Sequence, residues 1–356
     1  MILRFEVCSL SHPLKSQNRR YAIPSSNSEW RTALLFRDTL HESRTLFKLW
    51  LMGESLQLTG RMASWQVRSR NVIANLQEVE FRVSSQWGQD GIIDWLIERA
   101  GIPSTAQTFI EFGVEDYRQS NTRFLLQNRN WRGLIVDGDP AMVKAVKSDR
   151  LAWRYDLSAQ QVFTTRENIN DLISDAGFSG EVGLLSIDID GNDYWLWEAL
   201  HAARPILLVC EYNAVFGDTH PISIPYDKHF SRTKAHPSNL YFGASIAALC
   251  SLAAKKGYRF VGTNSAGNDA FFVREDYASR FVETSLKQIR SFPSRFRESR
   301  DRRGLNSYIG GLERLRQISA LPVVNVETGC TTVLRELETV YSKEWLAAMS
   351  GKTSFT

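Results

Sequence analysis

Cysteine is scarce in this sequence of 356 residues, and no two cysteines are close together. Cys8, Cys210, Cys250 and Cys330 form no Cys-x-x-Cys pair, which argues against a thiolate zinc site. Cys210 and Cys250 stand among apolar residues, as buried free thiols do. This usage predicts a reducing, cytoplasmic environment.

Long apolar runs, a one-sided charge and a dinucleotide fingerprint are also missing. No stretch approaches the ~20 uncharged apolar residues that span a bilayer, and Arg4 and Glu6 make the N-terminus a poor signal peptide. The 43 basic and 39 acidic residues leave a charge of +4, too balanced to indicate nucleic-acid binding. The absence of G-x-G-x-x-G counts against NAD.

What is present is a globular composition, 43% hydrophobic and 23% charged, with strands and helices alternating over residues 105–275. The apolar runs TFIEF, GLIVD, EVGLLSID and ILLVCEY suit parallel strands that are buried on both faces. GYRFVGT and DAFFVRE are separated only by NSAGN, which demands an antiparallel hairpin. We therefore expect an α/β fold, with a mostly parallel sheet and an antiparallel last strand.

Two further segments flank this core. We expect an N-terminal arm and helical segment over 1–82, a catalytic core over 83–280 and an Arg-rich helical extension over 281–356, with one strand candidate at LPVVNVE. The arginines of the extension fit either a solvated helix face or a site for an anionic acceptor or anionic membrane surface. They are Arg290, Arg295, Arg297, Arg300, Arg302 and Arg303.

Acidic residues end the first two predicted strands. Glu111 is followed by Gly113, a residue that lets backbone approach a ligand, and Asp137 ends the second strand one βαβ unit later. Ligands of open α/β sheets bind beyond the carboxyl ends of the strands, where an acid can accept both hydroxyls of a ribose. A buried strand with a turn glycine is the plainer interpretation of the first motif.

The next two predicted strands also end in polar groups. Asp188 and Asp190 share one face of their strand, and the following strand ends in Glu211 and Asn213. Such oxygen ligands suit Mg²⁺ or Mn²⁺. The alternative is that Asp188 contacts the amino end of a cofactor while Asp190 caps a turn.

A loop over residues 214–242 follows this strand and should lie over the same edge of the sheet. It contains His220, His229 and His236, and histidine suits a general base that takes a proton from a hydroxyl. Surface histidines without a role are the alternative for each.

Taken together, FIEFGVEDYRQSNTRFLLQNRNWRGLIVDGDP, LLSIDIDGNDYWLWEAL, VCEYN and GYRFVGTNSAGNDAFFV resemble FkbM-type S-adenosylmethionine-dependent methyltransferases, especially those of surface-glycan and O-antigen clusters. The resemblance implies a class I methyltransferase (Rossmann-like) fold and O-methylation of a saccharide or similar hydroxyl acceptor. Asp188 would lie near the reactive centre. By position, Glu111 and Gly113 match the family's first cofactor motif, and Asp137 matches its ribose-binding acid. We also expect cofactor contacts from Asp156 or Phe163 near the adenine. The full predicted cofactor-binding set is Glu111, Gly113, Glu115, Asn121, Asp137, Gly138, Asp156, Phe163 and Asp188.

The sequence is also compatible with two rival functions. Asp188-Ile189-Asp190 also resembles the DxD motif with which glycosyltransferases grip a metal and a nucleotide-sugar diphosphate. A methyltransferase fold that has lost its cofactor and serves only to bind a partner is the second rival, since the first motif is poor in glycine.

Overall fold

A computed structural model of the protein describes residues 51–350. The first 50 residues of the predicted N-terminal arm and helical segment lie outside the described residues. The compact body starts at Leu56, and its first helix, α1, extends to residue 68.

A seven-stranded sheet forms the centre of this body. Its strands are β1 (Thr108–Phe112), β2 (Arg132–Asp137), β3 (Leu157–Gln161), β4 (Gly180–Ile187), β5 (Ala203–Glu211), β7 (Tyr258–Thr263) and β8 (Asp269–Arg274), in the order β3-β2-β1-β4-β5-β8-β7. β1 to β5 are parallel, and β8 is antiparallel to β5 and β7. The predicted mostly parallel sheet with an antiparallel last strand is confirmed, but β7, not β8, occupies the edge.

Helices cover both faces of the sheet. They are α2 (Gln89–Ala100), α3 (Arg123–Arg129), α4 (Pro140–Ser148), α5 (Leu151–Arg154), α6 (Ile169–Asp175), α7 (Asp193–Ala199), α9 (Ile246–Lys256) and α10 (Glu275–Val282), with the single turn α8 (Arg232–Ala235) between α7 and α9. Successive strand residues enter opposite cores: Ile110 and Leu185 belong to one apolar cluster, and Phe109 and Leu184 to the other. This alternation explains why the strands read as continuous apolar runs.

The C-terminal segment adds two helices, α11 (Leu312–Ile318) and α12 (Lys343–Met349), and two strands of a small second sheet, whose third strand comes from the loop after β5. The sheet consists of β6 (Ile222–Ser223), β9 (Pro322–Asn325) and β10 (Thr331–Val333), in the order β10-β9-β6; β9 lies within the predicted strand. Ile318, Val323 and Trp345 join one of the two apolar cores of the central sheet. In residues 51–350, no helix combines the length and apolarity that a bilayer crossing requires.

The arginine run over 290–303 is not helical, contrary to the expectation for this extension. Its backbone instead pairs with the tip of the β7–β8 hairpin. The Thr263 N–H donates to the Arg290 carbonyl, and the Arg295 N–H donates to the Ala266 carbonyl. Those bonds hold the segment in an irregular course, with Pro293 between them.

Candidate functional site

A cavity of about 810 Å³ opens at the carboxyl ends of β1, β2, β4 and β5. This is the position where open α/β sheets bind ligands, and the volume falls within the usual range for small-molecule sites. Strand ends form one wall. A second wall includes part of the C-terminal segment, through Phe296, Glu298, Arg300 and Arg314.

Gly113 allows the ends of β1 and β4 to meet at the cavity. Its φ of +78° is a conformation that favours glycine, and a Cβ added to it would lie 1.6 Å from the Asp188 carbonyl oxygen. The Asp188 N–H in turn donates to the Phe112 carbonyl, at 3.1 Å. Glycine is therefore required at position 113, because the backbone of Asp188 occupies the space that a side chain would need.

Asp137 lies at the end of β2 and lines the cavity. Its Oδ2 accepts the Val114 and Glu115 N–H groups at 3.1 and 2.8 Å, and its Oδ1 accepts the Asp139 N–H at 2.8 Å. Each carboxylate oxygen has two acceptor positions, so Oδ1 can still accept one further donor. Gly138 lines the cavity beside it, with the Phe163 ring close by.

Glu111 and Asn121 do not line the cavity. The Glu111 carboxyl is buried, and it accepts hydrogen bonds from the Asn121 N–H (2.8 Å), the Thr122 N–H (3.1 Å) and the Thr122 hydroxyl. Asn121 Nδ2 donates to Ser186 Oγ at 3.1 Å. Both residues predicted to touch the cofactor thus hold the loop after β1, and through it Glu115, which does line the cavity.

Three carboxyl groups converge at the ends of β4 and β5. One oxygen from each of Asp188, Asp190 and Glu211 lies within 4.8 Å of the others. Burial raises the pKa of both Asp188 and Glu211. Repulsion from Asp190 raises the pKa of Asp188 further, and repulsion from Asp188 raises that of Glu211. Glu211 Oε2 is buried without a hydrogen-bond partner among the described residues. Asp190 is ion-paired with Arg232 of α8.

Neighbouring polar residues hold this cluster in place. Asp193 accepts the Ile189 and Gly191 N–H groups at 2.8 and 3.0 Å, which fixes the loop that carries Asp190. The predicted metal ligand Asn213 is otherwise engaged. Its Oδ1 accepts the Val215 N–H, and its Nδ2 donates to the carbonyls of Leu240 and Phe242, all at 2.9 Å. Because that oxygen caps a turn, the candidate cation ligands are the three carboxyl groups.

Four other predicted site residues lie away from the cavity lining. His220, His229 and His236 are not among the residues that line it; the His236 ring instead bonds to Ser238 Oγ at 2.7 Å. Asp156, placed by the sequence near the adenine, precedes β3 and so lies at the opposite end of that strand from the cavity. Its carboxylate is exposed and 3.8 Å from Arg132.

The structure adds cavity residues that sequence reasoning did not single out. Trp87 and Phe296 face each other at the cavity, with ring centroids 5.2 Å apart. Arg232 and Arg314 also line it. These four come from three segments that are far apart in the sequence, namely the stretch before α2, the loop after β5 and the C-terminal segment, so no local spacing could have connected them.

No family model matches the sequence, and no curated protein matches it. Among solved structures, the chain is similar to the methyltransferase domain of bacterial CtHen1-C, at 14% identity over 49% of this chain and 94% of that chain, with a TM-score of 0.32. An O-methyltransferase from Bacillus cereus in complex with SAH shares 13% identity over 60% and 89% (TM-score 0.35). The N-terminal domain of EvdMO1 with SAH bound shares 10% over 60% and 93% (TM-score 0.35). The fold assignment therefore rests on the strand order and strand directions of the sheet, which are those of class I methyltransferases.

Proposed function

We propose that the protein is an S-adenosylmethionine-dependent O-methyltransferase that acts on a hydroxyl of a saccharide or glycan-type acceptor. The observation that carries the proposal is the place of Asp137 and the Asp188–Glu211 pair at strand ends of one cavity in a class I methyltransferase sheet. The saccharide part of the proposal is supported by the sequence resemblance.

The cavity residues suit this cofactor chemically. S-adenosylmethionine carries a sulfonium, an ammonium, a ribose diol and an adenine. Asp137 Oδ1 can accept a hydrogen bond from a ribose hydroxyl, and Phe163 offers an aromatic surface to the base. Glu115 and Asp188 contribute carboxyl groups whose ionised form a bound ammonium or sulfonium would favour. When bound, the cofactor supplies an electrophilic methyl group.

The chain's own contribution is to hold both reactants in line and to accept a proton. Orientation of two bound reactants contributes about 7 kcal/mol or more to lowering a barrier. No histidine of residues 51–350 lines the cavity, so we assign the role of accepting the hydroxyl proton to the carboxyl cluster of Asp188 and Glu211. The three clustered carboxyls also fit Mg²⁺ or Mn²⁺, which would supply Lewis acidity at this point.

Calorimetric titration with S-adenosylhomocysteine tests the cofactor assignment. We expect saturable binding to the wild-type protein and at least tenfold weaker binding to Asp137→Asn. Asp156→Asn is the matched control, because it changes the same residue type outside the cavity. Absence of binding at millimolar ligand would overturn the proposal.

The three carboxyl groups are also compatible with one rival function, glycosyl transfer. Asp188 and Asp190 lie together in the cavity, as a metal-binding DxD pair would. Binding of a UDP-sugar in the presence of Mn²⁺, with none of S-adenosylhomocysteine, would favour a glycosyltransferase. Binding of neither ligand would favour a non-catalytic binding module.

A further inference from the structure

Arg314 is a buried cation without a partner. It lies on α11, lines the cavity, and is only 7% exposed. Within residues 51–350 its guanidinium makes no ion pair or hydrogen bond, and its Nε is buried and unsatisfied. A buried charge of this kind is costly unless it is paired.

The other arginines of the cavity are compensated. Arg232 pairs with Asp190, and its Nε donates to the Asn239 carbonyl at 2.7 Å. Arg300 lies 3.7 Å from the Glu298 carboxylate. Burial lowers the pKa of Arg314 to about 10, so the guanidinium remains charged at neutral pH. Among the described residues that line the cavity, Arg314 is therefore the arginine whose guanidinium is left for a ligand.

The position of Arg314 separates it from the expected cofactor site. α11 contacts the turn Ala214–Phe216, which follows β5, whereas Asp137 ends β2. Three strand spacings separate β2 from β5 in the sheet, or about 14 Å. An anion at Arg314 would thus approach the carboxyl cluster from the side opposite to the ribose end.

We propose that Arg314 binds an anionic group of the acceptor, a phosphate or a carboxylate carried on the same molecule as the reacting hydroxyl. A guanidinium can bind either group through two parallel hydrogen bonds. The claim that the molecule carrying this anion is the methyl acceptor rests on the proposed function. The claim that Arg314 binds an anion does not.

The test measures binding of glucose 1-phosphate, glucuronate and neutral glucose by titration calorimetry at low salt. We expect one of the two anionic sugars to bind saturably and glucose to bind at least tenfold more weakly; the tighter anion identifies phosphate or carboxylate. Arg314→Gln should weaken that binding at least tenfold, and Arg314→Lys should weaken it less. Arg316→Gln is the matched control, an exposed arginine on the same helix that is paired with Glu313.

Three results would overturn the proposal. They are equal binding of glucose and both anions, equal losses in Arg314→Gln and Arg316→Gln, and a loss of S-adenosylhomocysteine affinity in Arg314→Gln, which would assign the arginine to the cofactor carboxylate. Failure of the wild type to bind S-adenosylhomocysteine, with anion binding intact, would overturn the proposed methyl transfer alone.

Thermal unfolding without ligand gives a readout that does not depend on the probe. Because Arg314 is buried and unpaired, Arg314→Met should raise the midpoint by a few degrees, while Arg316→Met leaves it nearly unchanged. A lower midpoint for Arg314→Met would show that the arginine serves packing instead.

Discussion

The Asp188 carbonyl oxygen occupies the space that a side chain on Gly113 would need, 1.6 Å from the position of its Cβ. The ends of β1 and β4 therefore touch through backbone alone. This contact places the loop after β1 directly against the carboxyl cluster, so the proposed cofactor and acceptor ends of the cavity share one rigid edge.

Gly113→Ala should destabilise the protein strongly and abolish binding of S-adenosylhomocysteine. Gly180→Ala is the control, because Gly180 also has a positive φ, +87°, but a Cβ there would meet nothing within 4 Å. The control should lose about 1 kcal/mol from backbone strain alone, and Gly113→Ala should lose several times more. Urea denaturation compares the two, and equal losses would contradict the steric account.

Glu111→Gln should change how stability depends on pH. Burial raises the pKa of Glu111 from 4.5 to about 7. The folded protein therefore holds the Glu111 proton more tightly than the unfolded chain does. The stability that this proton contributes is complete below pH 4.5 and is lost as the pH rises through 7. The wild type should therefore lose roughly 3 kcal/mol of unfolding free energy relative to the variant across this range. Urea denaturation at pH 5 and pH 7.5 measures this difference, and a constant difference would refute the assignment.

Arg232→Gln should strengthen binding of a divalent cation at the carboxyl cluster. Arg232 is the guanidinium that pairs with Asp190, so its removal leaves three carboxyls without a counter-charge. Electron paramagnetic resonance of Mn²⁺ should show severalfold tighter binding in Arg232→Gln and loss of binding in Glu211→Gln. Lys234→Gln, an exposed change on the same turn, is the control. Weaker binding in Arg232→Gln would show that the cluster relies on the arginine itself.

Trp87 should report occupancy of the cavity by its fluorescence. Its ring lines the cavity beside Phe296, so a bound ligand changes its surroundings. Addition of S-adenosylhomocysteine should alter the emission of the wild type. The control variant Trp153→Phe should respond in the same way, because the Trp153 indole is 77% exposed and lies outside the cavity. Persistence of the full signal in Trp87→Phe would place the ligand elsewhere.

The strands that could be predicted are those buried on both faces. β1, β2, β4 and β5 appear as apolar runs, and the short connection NSAGN reveals the β7–β8 hairpin. β3 escapes prediction because its sequence, LSAQQ, belongs to an edge strand with partly exposed side chains. The place of β8 inside the sheet depends on strand pairing, which no local pattern encodes.

The candidate site could be predicted only where strand ends carry it. Asp137, Asp188, Asp190 and Glu211 reach the cavity because parallel strands bring their carboxyl ends to one edge. Loop residues behave differently: the histidines of 214–242 lie outside the cavity lining, whereas Arg232 of the same loop is in it. Arg314 reaches the cavity through the packing of α11, about a hundred residues after β5.

The two walls of the cavity have different origins, and this bears on how its specificity could change. The wall with Asp137 consists of the ends of strands whose other side chains pack into the two cores of the sheet. The wall with Phe296 and Arg314 belongs to the segment after α10, much of which has no regular structure. Substitutions in that segment could therefore redirect the protein towards a new acceptor without disturbing the sheet, so we expect acceptor choice to diverge faster than cofactor choice.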